Sequence, residues 1–117
     1  MTGTSLAPSA QRLLGLARRA GAVASGTEAV RRAIREGEAQ LVLMATDASS
    51  VQLDKVRKTL RDRAIPQAVL GDRDTLGAAL GMAPVSAVAV TSASFAGRLL
   101  EELAGTANED GTEALEA

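Results

Sequence analysis

Gln40 to Ala45, QLVLMA, is a continuous apolar run of strand length, and no other stretch constrains the fold as much. A strand that is apolar at successive positions is buried on both faces and belongs at the centre of a sheet. The patterns on either side supply helices and further strands. Ser9 is a candidate cap for a first helix in which Leu13, Leu16, Ala17 and Ala20 share a face and which Gly21 ends. Ala22-Val23-Ala24 reads as a short strand or extended link. Ser25-Gly26-Thr27-Glu28 reads as a capping box, Ser at the cap and Glu three later, for a second helix running to about Glu36 with Gly37 as its stop. Ser49 with Gln52 repeats the capping-box pattern, and Leu53, Val56, Leu60 and Ala64 then recur at helical spacing until Pro66. Ala68-Val69-Leu70 reads as a strand, Thr75–Leu80 as a helix closed by Gly81, and Val85–Val90 as the last strand. Ser92 or Ser94 starts a final helix through Leu103. Helix and strand alternate strictly, which predicts an α/β fold: a three-layer α/β/α sandwich around a small mixed four-stranded sheet.

At 117 residues one domain is expected, large enough for one real core. Residues 9–104 are assigned to it. Residues 1–8 read as a flexible N-terminus, and 105–117, GTANEDGTEALEA, as an acidic disordered tail short of core formers. Phe95 is the one aromatic residue, so the core is built from Ala, Val, Leu and Ile, and Phe95 is expected to join it.

There is no Cys and no His, which removes disulfides, thiolate metal sites, the commonest general base and the commonest metal ligand. The many Ser and Thr residues therefore lack an evident activator. No enzyme activity, metal or cofactor is expected. No apolar run approaches the roughly 18 residues of a membrane span, and Met1 to Ser9 shows no basic flank followed by an apolar stretch. A cytoplasmic protein that makes no membrane contact is the expectation.

The net charge of −1 hides a segregation. Residues 101–117 carry six of the 14 acidic residues, Glu101, Glu102, Glu109, Asp110, Glu113 and Glu116, and no Lys or Arg. The first 100 residues thus hold all 13 basic residues against eight acidic ones, a net of +5. A basic body with an acidic tail suits a polyanionic partner. Apart from Lys55 and Lys58 the basic residues are all Arg, whose planar fork matches phosphates and guanine edges.

The second helix concentrates this charge. At about 3.6 residues per turn, Val30, Ala33 and Ile34 fall on one side, and Glu28, Arg31, Arg32 and Arg35 on the other. Gly26, just before it, allows close backbone approach, and the N–H groups of the helix start suit an anion. Together these make a phosphate-backbone site. The alternative is a solvated face on which Glu28 pairs with Arg32 at i, i+4. A nucleotide site is disfavoured, because SGTE has neither the GxxxxGK[ST] lysine nor the GxGxxG spacing. Asp47 resembles the strand-end aspartate of a phosphate-accepting receiver domain, but Ala22–Thr27 lacks the acidic pair that such a domain needs, which leaves Asp47 as a turn residue. One aromatic residue cannot make a stacking platform for single strands, so recognition would be of folded RNA by phosphate contacts and shape.

The blocks LLGLARRAGAVASGTEAVRRAIREGEAQLVLMATDAS, GDRDTLGAALG and AVAVTSASFAGRLL, in this order, resemble the bacterial YlxQ-type RNA-binding proteins of the L-seven-Ae and L-thirty-e ribosomal protein superfamily. The resemblance covers roughly Gln11 to Leu103. It implies a compact sandwich without catalysis that binds structured RNA, typically kink-turns or ribosomal RNA, as a monomer linked to the ribosome, translation or transcription. It also implies that the RNA meets the loop entering the second helix and the loop before the last strand. Gly26 matches the glycine that opens the RNA-contacting motif, and Thr27 follows it. Glu28 and Ala29 stand where kink-turn binders carry the Asn and Glu that read sheared G·A pairs. Arg32 stands at their lysine, with Arg31 and Arg35 beside it. Met82, Ala83, Pro84, Val85 and Ser86 match the loop that packs on a flipped-out base, and Arg73 in the second block is assigned with them. The absent Asn-Glu pair leaves a different RNA, or mainly backbone binding, open. A second reading is a protein-interaction module that docks on a ribosomal or transcription protein; salt dependence separates the two.

Overall fold

A computed structural model describes residues 5–116, with side chains described for residues 5–104. The elements in order are α1 (Pro8–Arg19), β1 (Val23–Ser25), α2 (Thr27–Arg35), β2 (Leu41–Met44), α3 (Ser50–Leu60), β3 (Gln67–Val69), α4 (Arg73–Leu80), β4 (Ala87–Val90) and α5 (Ala93–Glu116). They form the expected three-layer sandwich. The sheet order is β1-β4-β2-β3; β4 is antiparallel to both β1 and β2, and β2 is parallel to β3.

β2 is the apolar run, and all four of its residues are buried between β4 and β3. The strand period of two sends its side chains to opposite layers. Leu41 and Leu43, with Val88 and Val90 of β4, pack against Leu13 and Leu14 of α1, Leu76 and Leu80 of α4, and Ala96 and Leu99 of α5. Val42 and Met44, with Ala87 and Ala89, pack against Val30, Ala33 and Ile34 of α2 and against Val56 and Leu60 of α3. Each fully buried Leu, Ile or Val contributes about 1.5–3 kcal/mol, so two mainly aliphatic cores hold the molecule together. Phe95 packs half-buried on the first of them.

Several local expectations give way to tertiary context. Residues 1–4 lie outside the described residues; Leu6, within the expected flexible N-terminus, is buried in the core. α1 starts at Pro8 after Ala7, and Ser9 is not its cap; the Ser9 hydroxyl donates to the Glu102 carboxylate of α5. Leu14 faces the core where Leu16 was expected, and Leu16 and Ala20 are exposed. Ser25 is a strand residue opposite Val88, so it cannot cap α2; Gly26 precedes that helix instead. α3 does carry its Ser49 cap, whose Oγ accepts the Gln52 N–H at 3.2 Å. That helix ends at Leu60, where Arg61 turns extended and Asp62 takes φ 67°, so Ala64 is exposed outside the helix and Pro66 plays no part in stopping it. α4 starts earlier than expected because Asp72 Oδ1 accepts the Thr75 N–H at 2.7 Å. β4 begins at Ala87, which leaves Val85 and Ser86 in the approach loop. α5 runs on to Glu116, past the Leu103 end expected from sequence, and its continuation contains good helix formers such as Ala, Glu and Leu. The side chains of the acidic tail lie outside the described residues.

Candidate nucleic-acid interface

β1, β2 and β3 end, and β4 begins, at one end of the sheet. The Gly26 N–H donates to the Ala87 carbonyl at 2.9 Å, so the loop entering α2 lies against the start of β4. The Ala45 N–H donates to the Ser86 carbonyl at 2.9 Å, and the Val85 N–H to the Arg73 carbonyl at 3.2 Å. Arg73 in turn donates its backbone N–H to Asp47 Oδ1 at 2.9 Å. These bonds join the loop before α2, the loop after β2, the start of α4 and the Met82–Ser86 loop. Gly26, Thr27, Glu28, Arg73 and Met82–Ser86, far apart in sequence, therefore share one end of the molecule.

Gly26 has φ 95°, a conformation that costs other residues strain, and no atom lies within 4 Å of where its Cβ would be. The space beside it is open to a ligand backbone. No side chain caps the start of α2, so its first N–H groups and the positive end of its dipole are presented at this end. Thr27 is half-buried and Glu28 and Ala29 are exposed. In the facing loop, Met82 and Ser86 are half-buried, Ala83 and Pro84 are exposed, and Val85 belongs to the core. Val85 thus anchors the loop, and Met82, Ala83 and Pro84 form its presentable apolar surface.

The arginines of α2 divide by role. Val30, Ala33 and Ile34 are buried as expected, with the arginines on the other side. Arg31 is half-buried: its Nε donates to Thr59 Oγ1 of α3 at 3.1 Å, and its Nη1 pairs with Glu28 Oε2 at 3.1 Å. The Glu28 partner is therefore Arg31 at i, i+3, and the expected i, i+4 pair with Arg32 does not form. Thr59, one position on the neighbouring helix, decides this by holding the Arg31 guanidinium in place. Arg32 and Arg35 are exposed, and neither side chain has a hydrogen bond or ion pair among the described residues. Arg73 is partly committed, with Nε 3.8 Å from Asp47 Oδ2. Asp47 is thus the turn residue expected, one that ties β2 to α4. The Thr75 backbone N–H holds the Asp72 carboxyl below its ordinary pKa, so this cap stays ionised at neutral pH.

Gly77 is a residue that sequence reasoning missed. A Cβ there would lie 2.3 Å from the Ala83 carbonyl oxygen and 2.8 Å from Pro84 Cα. The missing side chain lets the Ala83-Pro84 segment fold directly onto α4. A glycine inside a helical pattern was the available signal, since it costs about 1 kcal/mol against Ala unless packing requires it. No helix among the described residues is long and apolar enough to cross a membrane.

Over 91 residues the chain is 40% identical to the RNA-binding protein YlxQ of Bacillus subtilis (strain 168), an alignment spanning 78% of this chain and 91% of that protein. A solved structure of a protein with unknown function from Bacillus halodurans C matches with a TM-score of 0.76 at 32% identity, over 81% of this chain and 96% of the other. The Giardia lamblia 15.5kD RNA binding protein shares the fold, with a TM-score of 0.68 at 19% identity over 87% of this chain and 90% of that one. Residues 9–99 match the model of a described family, most of the span built above. The chain belongs to the ribosomal protein L7Ae/L30e/S12e/Gadd45 family.

Proposed function

We propose that this protein is a non-catalytic binder of structured RNA, kink-turn-like or ribosomal, that grips its target at the end of the sheet where Gly26 meets Ala87. The observation that carries the reading is that single hydrogen bond, which sets the uncapped start of α2 beside the Met82–Ser86 loop. An RNA phosphate lies against the Gly26 backbone and the first N–H groups of α2, the exposed Arg32 takes a neighbouring phosphate or base edge, and an unstacked base rests on Met82, Ala83 and Pro84. Relatives named as RNA-binding support this reading. Glu28 is held by Arg31 and Ala29 offers only a methyl group, so readout of sheared G·A pairs is weak and backbone and shape contacts dominate. The reading includes a cytoplasmic monomer attached to ribosomal or other folded RNA.

The test is a titration of the full chain with a kink-turn hairpin, and with the same hairpin whose G·A pairs are replaced by Watson–Crick pairs, over a range of salt. Binding that weakens steeply with salt and discriminates little between the two RNAs is expected. No binding to either would overturn the reading and favour docking on a ribosomal or transcription protein.

A further inference from the structure

The seam between α2 and α3 carries cations that the loop end does not use. Arg31 marks the seam through its bond to Thr59 Oγ1, and Thr59 donates in turn to the Lys55 carbonyl at 2.9 Å. At about 3.6 residues per turn, Arg35 stands one turn beyond Arg31 on α2. Lys55 stands one turn before Thr59 on α3, and Lys58 adjoins Thr59 on the solvent side. Arg35, Lys55 and Lys58 are exposed, and none of their side chains has a hydrogen bond or ion pair among the described residues. Arg63 closes the far end, its Nη1 donating to the Ile34 carbonyl at 2.6 Å where α2 terminates. The carboxylates of these two helices and their ends are Glu28, already held by Arg31, Asp54, one turn before Lys58, Glu36 and Glu38 at the end of α2, and Asp62 just past α3; of these only Glu28 makes an ion pair among the described residues. Like charges one turn apart, as at Arg31 and Arg35, repel, and a bound polyanion would relieve that repulsion. The opposite layer mixes its charges: Arg18 donates to the Leu80 carbonyl, Arg73 lies near Asp47, and the exposed Arg12, Arg19 and Arg98 share that layer with Asp72, Asp74, Glu101 and Glu102.

No aromatic residue lines the seam, because the sole one, Phe95, packs on the other side of the sheet. Stacking of single-stranded bases is therefore unavailable, whereas the phosphates of an A-form stem need only a cationic surface of matching shape. α2 begins at the loop end and leads along the seam. Resting on the RNA reading above, we propose that Lys55, Lys58 and Arg35 hold the phosphate backbone of a double-helical stem leading away from the RNA gripped at the loop end.

The experiment compares the full chain with its Lys55→Gln/Lys58→Gln double variant, on a kink-turn RNA with stems of about ten base pairs and on the same RNA with stems of about five. On the long stems the variant should bind roughly tenfold more weakly at about 0.1 M salt, with the slope of log K against log salt reduced by about 2. On the short stems affinity and slope should be unchanged, and Lys55→Arg/Lys58→Arg should bind both RNAs like the parent. Equal affinity and slope on the long stems, or an equal loss on both RNAs, would overturn the inference while leaving the loop site intact. Failure of the parent to bind either RNA would remove the loop reading, and this inference with it.

Discussion

Replacing Gly77 by Ala tests whether α4 backs the loop that faces Gly26. In an open helix interior the change should stabilise by about 1 kcal/mol, because Ala is the better helix former. At Gly77 the added Cβ would lie 2.3 Å from the Ala83 oxygen, 2.7 Å from the Ala83 carbonyl carbon and 2.8 Å from Pro84 Cα. All three are backbone atoms, so no rotamer change relieves the overlap, and the Ala83-Pro84 segment must retreat by about 1 Å to reach ordinary contact. Overpacking of this kind costs about 1–3 kcal/mol, and overlap with backbone puts it at the upper end. With the propensity gain subtracted, the net loss is about 2 kcal/mol, a fall in Tm of roughly 10 °C for a domain of this size. Because the displaced segment belongs to the proposed site, RNA affinity should fall as well, by about tenfold. Gly97→Ala in α5 is the matched control: nothing lies within 4 Å of its Cβ position, so Tm should rise by a few degrees and RNA binding should hold. Paired thermal melts and RNA titrations of both variants decide the matter. If Gly77→Ala melts higher than the parent and binds RNA unchanged, α4 does not set the loop and the reasoning fails.

Arg32→Ala should weaken RNA binding by about 1–3 kcal/mol and change stability by less than about 0.5 kcal/mol, whereas Ile34→Ala, at a fully buried position, should cost roughly 2–5 kcal/mol of stability; equal RNA affinity of Arg32→Ala and parent at about 0.1 M salt would remove α2 from the interface. Truncation after Ala104 should leave Tm within a few degrees and raise RNA affinity, since it removes the negative charge of Glu109, Asp110, Glu113 and Glu116; a large drop in Tm would show that the segment packs on the domain. The depressed Asp72 carboxyl contributes stability that is present above the unfolded pKa near 3.9 and is lost as pH falls through the lower folded value. Urea melts of parent and Asp72→Ala across pH should therefore differ at pH 6 and converge in acid; a constant gap would mean that the cap acts without its charge.

Local physics wrote much of this fold into the sequence. QLVLMA is apolar at every position because its strand is covered on both faces, and a period-free apolar run of that length needs no tertiary information to read. The glycines that follow α1, α2 and α4 relieve left-handed backbone at the helix ends, and Ser49 and Asp72 cap helices through bonds three residues away. Val30, Ala33 and Ile34 stand opposite the arginines by helical period alone. Long-range contacts decided the rest. Ser25 fits a capping box by spacing, but pairing with Val88 claims it for β1. Glu28 could meet Arg31 or Arg32, and Thr59 on a helix that begins more than twenty residues later makes the choice. Leu14 rather than Leu16 is buried, where α1 packs in the core with residues of α4 and α5. The site itself is of this second kind: Gly26 meets Ala87 only when β4 inserts between β1 and β2. A pairing across sixty residues leaves no periodic trace in either partner.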